Sequence, residues 1–350
     1  MTDSAETDPC SVTIPPLDTD AHEAALDRQA TLTKPPGSLG RLETIAADIA
    51  AMQSTPKPRV DLAVVITMAA DHGVTAEGVS AYPQSITAAM VANFLDGGAA
   101  ISALCDANDI ANLVVDMGVA GAVPRGVVAH RVADGTANMA RGPAMTRGQA
   151  IESIAAGREV VRTRAADANV IGLGEMGIGN TTASAAITAV VTDSAVDTVT
   201  GYGTGIDDEA RANKVETIER AIDLNSPDPT DPVDVLRCVG GFEIGGLVGI
   251  TLEAASRRVP VVVDGFIAGA AVLLATEIDP RVNDYLLGSH ASVEPGHDVQ
   301  LRALDLDPLF DYGMRLGEGT GAAVAIGVYR AACKTHTGMS TFAEAGLVDE

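Results

Sequence analysis

The chain contains no tryptophan, and aromatic residues make up only 3% of its 350 positions. Any core must therefore be aliphatic, and the material is there: 47% of residues are apolar, with 36 glycines. That content excludes intrinsic disorder, which needs low hydrophobicity together with high charge. Positive charge is scarce as well, with 23 Lys and Arg against 47 Asp and Glu, a net charge of −24. Phosphate backbones and anionic lipid headgroups both call for a basic face, so nucleic acid and membrane surfaces are excluded as partners. An anionic small molecule would have to be held by local donors against the field of the whole chain.

Cysteine is equally sparse. Cys10, Cys105, Cys238 and Cys333 stand far apart, without a C-x-x-C pair or a short-spaced Cys/His cluster. Such spacing reads as reduced, mostly buried thiols in a cytoplasmic protein. The segment Met1–Pro9 has neither a basic start nor an apolar run, so no secretory leader is expected. The stretch Val259–Thr276 is the one that could mimic a membrane span. Asp264-Gly265 divides it into a strand-like run and an Ala/Leu-rich helical run, and a mid-span charge is costly in a bilayer.

What remains is an alternation of short apolar runs and Ala-rich helical segments. The runs are Leu62–Met68, Ala111–Asp116, Asn169–Leu173, Thr198–Tyr202 and Val259–Asp264, with a weaker one near Tyr285–Leu287. Apolar runs separated by helices predict a parallel sheet buried on both faces, with ligands beyond the carboxyl ends of its strands. Those ends carry Asp71-His72-Gly73, Asp116-Met117-Gly118, Gly174-Glu175-Met176-Gly177, Gly201-Tyr202-Gly203 and Asp264-Gly265. Before the sheet, residues 20–53 read as two helical stretches around Lys34-Pro35-Pro36-Gly37, and Thr55–Arg59 reads as a linker.

Four segments could carry chemistry. Gly172–Thr182 links a run to a helix, and its glycines with Asn180, Thr181 and Thr182 suit either an anion site at a helix start or a capped tight turn. Gly201–Gly205 opens a helix over Asp207–Leu224 that bears Lys214, one of only four lysines. Lys214 reads equally as an anion ligand or as an exposed solubilising residue. In Gly317-Glu318-Gly319, a desolvated Glu318 would be a general base, whereas a Glu at a helix start would be a stabilised anion. His290, Glu294 and His297 have metal-like spacing only on a continuous helix. Pro295-Gly296 interrupts one, which favours a hydrogen-bonded loop and no metal.

Taken together and in order, Lys34–Gly40, Asp71–Val74, Gly78–Pro83, Gly97–Ile101, the Glu175 loop, Ser292–His297 and Arg315–Gly321 resemble the nicotinate-nucleotide–dimethylbenzimidazole phosphoribosyltransferase family. The resemblance covers about Ala24 to Thr341. It implies a Rossmann-like α/β domain over 59–334 and a small helical domain from both chain ends, 1–58 and 335–350. It implies a homodimer without metal or organic cofactor, acting on nicotinate mononucleotide and 5,6-dimethylbenzimidazole. By the same resemblance Glu318 is the catalytic base, Glu175 the ribose-side carboxylate and Lys214 the phosphate lysine. Ser80, Met176 and Leu316 would wall the base pocket, and Gly177, Asn180, Thr181, Gly203 and Ser292 would complete the substrate contacts. One departure stands out: relatives often carry Gln near the positions of Ala88 and Ala89. A phosphoribosyltransferase using another base and a non-catalytic nucleotide sensor are the competing functions.

Overall fold

The computed structural model describes residues 10–347. The leader reading of Met1–Pro9 and the last three residues of the tail lie outside them. Two helices come first, α1 (Thr19–Thr31) and α2 (Arg41–Gln53), followed by β1 (Ala63–Ala70), α3 (Ile86–Leu95), α4 (Ala100–Ala107), β2 (Ala111–Gly118) and β3 (Val128–Ala129). The chain continues through α5 (Arg147–Arg164), β4 (Val170–Met176), α6 (Asn180–Thr192), α7 (Val196–Val199), α8 (Asp208–Asn225), α9 (Pro232–Val239) and α10 (Phe242–Ser256). It ends with β5 (Val261–Val263), α11 (Phe266–Ile278), β6 (Leu286–Gly288), α12 (Pro295–Ala303) and α13 (Thr320–Gly338).

The six strands form one parallel sheet in the order β3-β2-β1-β4-β5-β6. Every residue of β1 is buried, as expected of a strand covered on both faces. Side chains alternate along it: Met68 points toward α10, and Val65 lies on the opposite face, toward Ala322 and Ile326 of α13. This order reverses direction between β1 and β4. A doubly wound sheet opens a crevice at such a reversal, beyond the strand ends.

The helices at the chain's start pack on its last helix. Arg28 donates to the carbonyls of His336 and Met339, and Leu32 pairs with Thr341 in an antiparallel bridge. Ile14, Ile45, Ile49 and Met52 belong to the same continuous apolar core as the sheet.

Two local expectations need correction. Thr198–Tyr202 is not a strand, because its backbone is satisfied locally. Arg211 takes the carbonyls of Asp197 (2.7 Å) and Thr200 (2.9 Å), and the Thr200 hydroxyl bonds back to Val196 O (2.7 Å). The sheet gains β3 instead, whose two residues leave no periodic trace. Pro295 starts α12 rather than ending a helix, since its missing N–H costs nothing in the first turn. Val259–Thr276 forms β5 and the largely buried α11, in line with its strand–turn–helix pattern. Ile86–Ala107 has the length and hydropathy of a span, but the chain turns at Gly97-Gly98 between α3 and α4.

Candidate active site

A cavity of about 530 Å³ opens at the β1/β4 reversal and extends over the end of β5. Three acids gather at one end of it. Glu175 ends β4, Asp264 follows β5, and Glu318 stands just before α13; their exposures are 5%, 2% and 5%. Among the described residues, none of the three has an ion-pair partner; neutral donors serve them instead. The Asn180 side-chain amide and the Glu318 backbone N–H donate to Glu175. Gly319 N and Ala322 N donate to Asp264 (3.3 and 3.0 Å), and Ile101 N, at the start of α4, donates to Glu318 Oε2 (3.4 Å).

Burial without a cation disfavours the charged form of a carboxyl. It pushes Glu175 up to about 8, with the Asp264 and Glu243 charges adding to it, and Asp264 up to about 7. Glu318 is raised by the same desolvation, opposed by the Ile101 amide. Glu175 and Asp264 therefore hold protons near neutrality and would release them to solvent when a cation binds beside them.

Local sequence explains how Glu318 is presented. Gly317, Glu318 and Gly319 all have positive φ (+84°, +64° and +91°), and Gly319 is the N-cap of α13. The turn packs on β4, where a Cβ at Gly174 would lie 2.6 Å from Glu318 O. The glycines of Gly172-Leu173-Gly174 thus make room for α13 and the Glu318 turn rather than for a ligand.

The other end of the cavity is a polar corner. Lys214, on the inward face of α8, is 1% exposed, and its ammonium donates to Thr181 Oγ1 (2.8 Å). Burial lowers its pKa to about 8, with the Glu294 charge opposing the shift. Glu294 accepts from Gly203 N (2.8 Å), and its second oxygen has no protein partner. Arg315 is exposed and donates to Gly203 O (2.9 Å). Beside this corner, Ser292 N donates to His297 Nδ1 (3.0 Å), and burial pushes His297 down to about 3, so the ring is neutral. Behind Gly177, His72 and Glu243 form a buried contact at 2.5 Å.

Between the two corners the wall is apolar: Tyr82, Ile86, Met90, Met176, Phe266 and Leu316. Of the residues singled out from sequence, Glu175, Met176, Gly177, Asn180, Thr181, Gly203, Ser292, Leu316 and Glu318 line the cavity. Lys214 and Ser80 sit one layer back, behind Thr181 and Thr204, with Ser80 Oγ 3.2 Å from Thr204 Oγ1. Asn180 turns its amide toward Glu175. Ala88 and Ala89 lie on α3 but off the cavity wall, which Ile86 and Met90 of that helix supply. Sequence reasoning did not assign Asp264, Glu294 or Arg315 to the site, nor the Tyr82, Ile86, Met90 and Phe266 wall. Asp264's place at a strand exit was the available signal.

A doubly wound parallel sheet with acids, an ammonium and an apolar wall converging at its reversal point defines an α/β enzyme of small, mixed-polarity substrates. Comparison with known proteins makes this specific. A family model described as phosphoribosyltransferase matches residues 14–347. The chain is 50% identical over 337 residues to nicotinate-nucleotide–dimethylbenzimidazole phosphoribosyltransferase of Roseiflexus sp. (strain RS-1), covering 95% of this chain and 96% of that one. It is likewise 50% identical over 339 residues to the protein of that name from Syntrophotalea carbinolica, covering 95% and 96%. The crystal structure of CobT from Thermus thermophilus superposes with a TM-score of 0.90 at 45% identity, covering 95% of this chain and all of that one. The chain belongs to the nicotinate-nucleotide–dimethylbenzimidazole phosphoribosyltransferase family.

Proposed function

We propose that the protein transfers the 5-phosphoribosyl group of nicotinate mononucleotide to 5,6-dimethylbenzimidazole, yielding α-ribazole 5′-phosphate and nicotinate for the nucleotide loop of cobalamin. The observation that carries this reading is Glu318: a buried carboxyl with raised proton affinity, facing a cavity with an apolar wall and an ammonium corner. A planar, apolar base suits Ile86, Met90, Met176 and Leu316. The phosphate suits the Thr181–Gly203 corner, where the Lys214 ammonium and the Thr181 hydroxyl are the donors.

The chemistry follows from the charges. The C1′–N bond of the nucleotide breaks with its electron pair passing to the pyridine nitrogen, which needs no acid. Positive charge builds on the ribose, and Glu175 supplies a carboxylate to it once its proton has left. A benzimidazole nitrogen forms the new bond to C1′ while Glu318 takes the N–H proton of that ring. The proposal includes a small helical unit over 1–58 and 335–350 beside a catalytic unit over 59–334. It also includes a cytoplasmic location, supported by the buried free thiols of Cys105, Cys238 and Cys333, and a homodimer, supported by the family resemblance.

Glu318→Gln is the direct test. Loss of a general base lowers kcat by roughly 10²–10⁴, with the folded state retained. Turnover near that of the wild type would remove Glu318 from this role.

A further inference from the structure

Glu318 is the one member of the Gly317–Gly319 run for which a left-handed backbone is strained, at a cost of about 1–2 kcal/mol for a residue with a Cβ. A strained residue persists only where its surroundings over-determine it. Here the peptide is gripped on both sides: Glu175 accepts its N–H, and Thr67 Oγ1 donates to its carbonyl (3.3 Å). Thr320 closes the turn locally, its N–H and its Oγ1 both donating to Gly317 O (3.0 and 2.8 Å), but this does not cap the helix that follows. Gly319, the N-cap of α13, has no side chain with which to cap the helix. The cap comes instead from a different strand. Asp264 Oδ2 accepts from Gly319 N and Oδ1 from Ala322 N, with Gly321 N also directed at the carboxylate.

Capping alone does not call for this arrangement, because a local Ser or Asp at the N-cap would do it with less burial. A left-handed N-cap excludes those residues, and the left-handed run is what turns Glu318 toward the cavity. Asp264 is itself held: Ser289 Oγ donates to its carbonyl (2.5 Å), and a Cβ at Gly321 would collide with His290 and approach Asp264 Oδ1 to 2.9 Å.

We propose that Asp264 is the positioning residue of the reaction: its two oxygens fix the Gly319–Ala322 helix start and thereby aim the Glu318 carboxylate at the incoming base. The inference rests on the reading of Glu318 as base, and acts on kcat rather than on nucleotide binding. Asp264→Asn keeps the shape but offers one acceptor where two oxygens now receive amides. In the full-length protein, at a temperature where circular dichroism shows the variant folded, kcat falls by about 10–100-fold, as for an ångström-scale misplacement. KM for nicotinate mononucleotide stays within about threefold, as expected when only a transition-state interaction is lost.

The decisive measurement is a double-mutant cycle with Glu318→Gln. Once the base is gone, misaiming it has no further consequence, so Asp264→Asn lowers the residual kcat by less than about twofold on the cycle's own logic. Equal losses in both backgrounds would overturn the proposal, because Asp264 would then act independently of Glu318. So would a single Asp264→Asn variant with wild-type kcat. Failure of the underlying reading shows elsewhere, as near-normal turnover of Glu318→Gln alone. Should Asp264→Asn not fold, Asp264→Ser, which keeps an acceptor without the charge, passes through the same cycle with the same outcomes.

Discussion

Two pairs of acids end four of the strands, and they are satisfied in different ways. At the β1 and β2 exits, Asp71 and Asp116 tie down the loop after β2. Asp71 accepts from Ala120 N (2.7 Å), and Asp116 accepts from Gly118 N, Val119 N and the guanidinium of Arg131 (2.9 Å). At the β4 and β5 exits, Glu175 and Asp264 meet amides alone, with Glu318 beside them and no cation bonded to any of the three among the described residues. Only Asp116 is finished by a cation; among the described residues Asp71 has none bonded to it, and its Oδ1 has no partner. Glu175 and Asp264 also lack a counter-charge, but they line the cavity, where the proposed reaction brings one: the pyridinium of the nucleotide, then the oxocarbenium-like ribose. A buried acid given an internal arginine serves the fold, whereas one left without and facing the cavity is free to serve a passing cation.

Removing the internal cation is the strongest way to break this contrast. Arg131→Met leaves Asp116 buried and charged with amides only, which imitates the other exit. Breaking a fully buried pair costs about 3–5 kcal/mol; with Arg131 30% exposed, we expect about 2 kcal/mol lost in denaturant unfolding. Turnover and both KM values should not move, since Arg131 does not line the cavity. A variant as stable as the wild type would show that the guanidinium is dispensable and that the two exits do not differ in this respect.

Adding the missing cation sharpens the contrast from the other side. Glu175, near 8, and Asp264, near 7, are protonated in the empty cavity below those values. A bound pyridinium lowers both, so binding expels a proton and tightens as pH rises. Affinity for nicotinate mononucleotide should increase from pH 6 to 8, by up to about tenfold per unit for one proton released. Above about pH 8 it should fall again, because Lys214 loses the charge that faces the phosphate. Calorimetry in buffers of different ionisation enthalpy reads the proton directly. Affinity that is flat over this range would mean that the acids are already ionised and that the empty cavity is not short of positive charge.

Much of this was legible in the sequence, for reasons that differ by residue. The strand exits stood out because β-branched, largely apolar runs such as Leu62–Met68 are soon followed by Asp or Glu, and a parallel sheet assembles those ends at one edge. Glu318 was visible because a Glu between two glycines at a helix start can face a cleft. Thr198–Tyr202 misled because β-branched residues mark a strand only when the backbone pairs with a neighbour, and Arg211 takes the Thr200 carbonyl and that of Asp197 just before the run. Asp264 was noted as an exit, yet its partners lie 55 and 58 residues downstream, a distance no local pattern spans. The apolar wall from α3 was hidden for the same reason. The −24 net charge looked adverse to a phosphorylated substrate, but the proposed phosphate corner places one buried ammonium, Lys214, beside Thr181.

The smallest expected effect bears most directly on the contrast, because it separates stability from chemistry at a single position. Glu318→Gly removes a left-handed residue with a side chain, worth about 1–2 kcal/mol, and Gly returns about 0.4–1 kcal/mol of that through the freer unfolded chain. The carboxyl itself contributes little, since its one hydrogen bond, to Ile101 N, is long at 3.4 Å and its burial disfavours ionisation. The variant should therefore be more stable than the wild type by about 0.5–1 kcal/mol while turnover collapses. Asp116→Gly, at the finished exit, should do the reverse: stability falls, and the chemistry persists in whatever fraction stays folded. If Glu318→Gly unfolds more easily instead, the acid is holding its turn together, and the division between acids that build and acids that react fails where it is drawn most sharply.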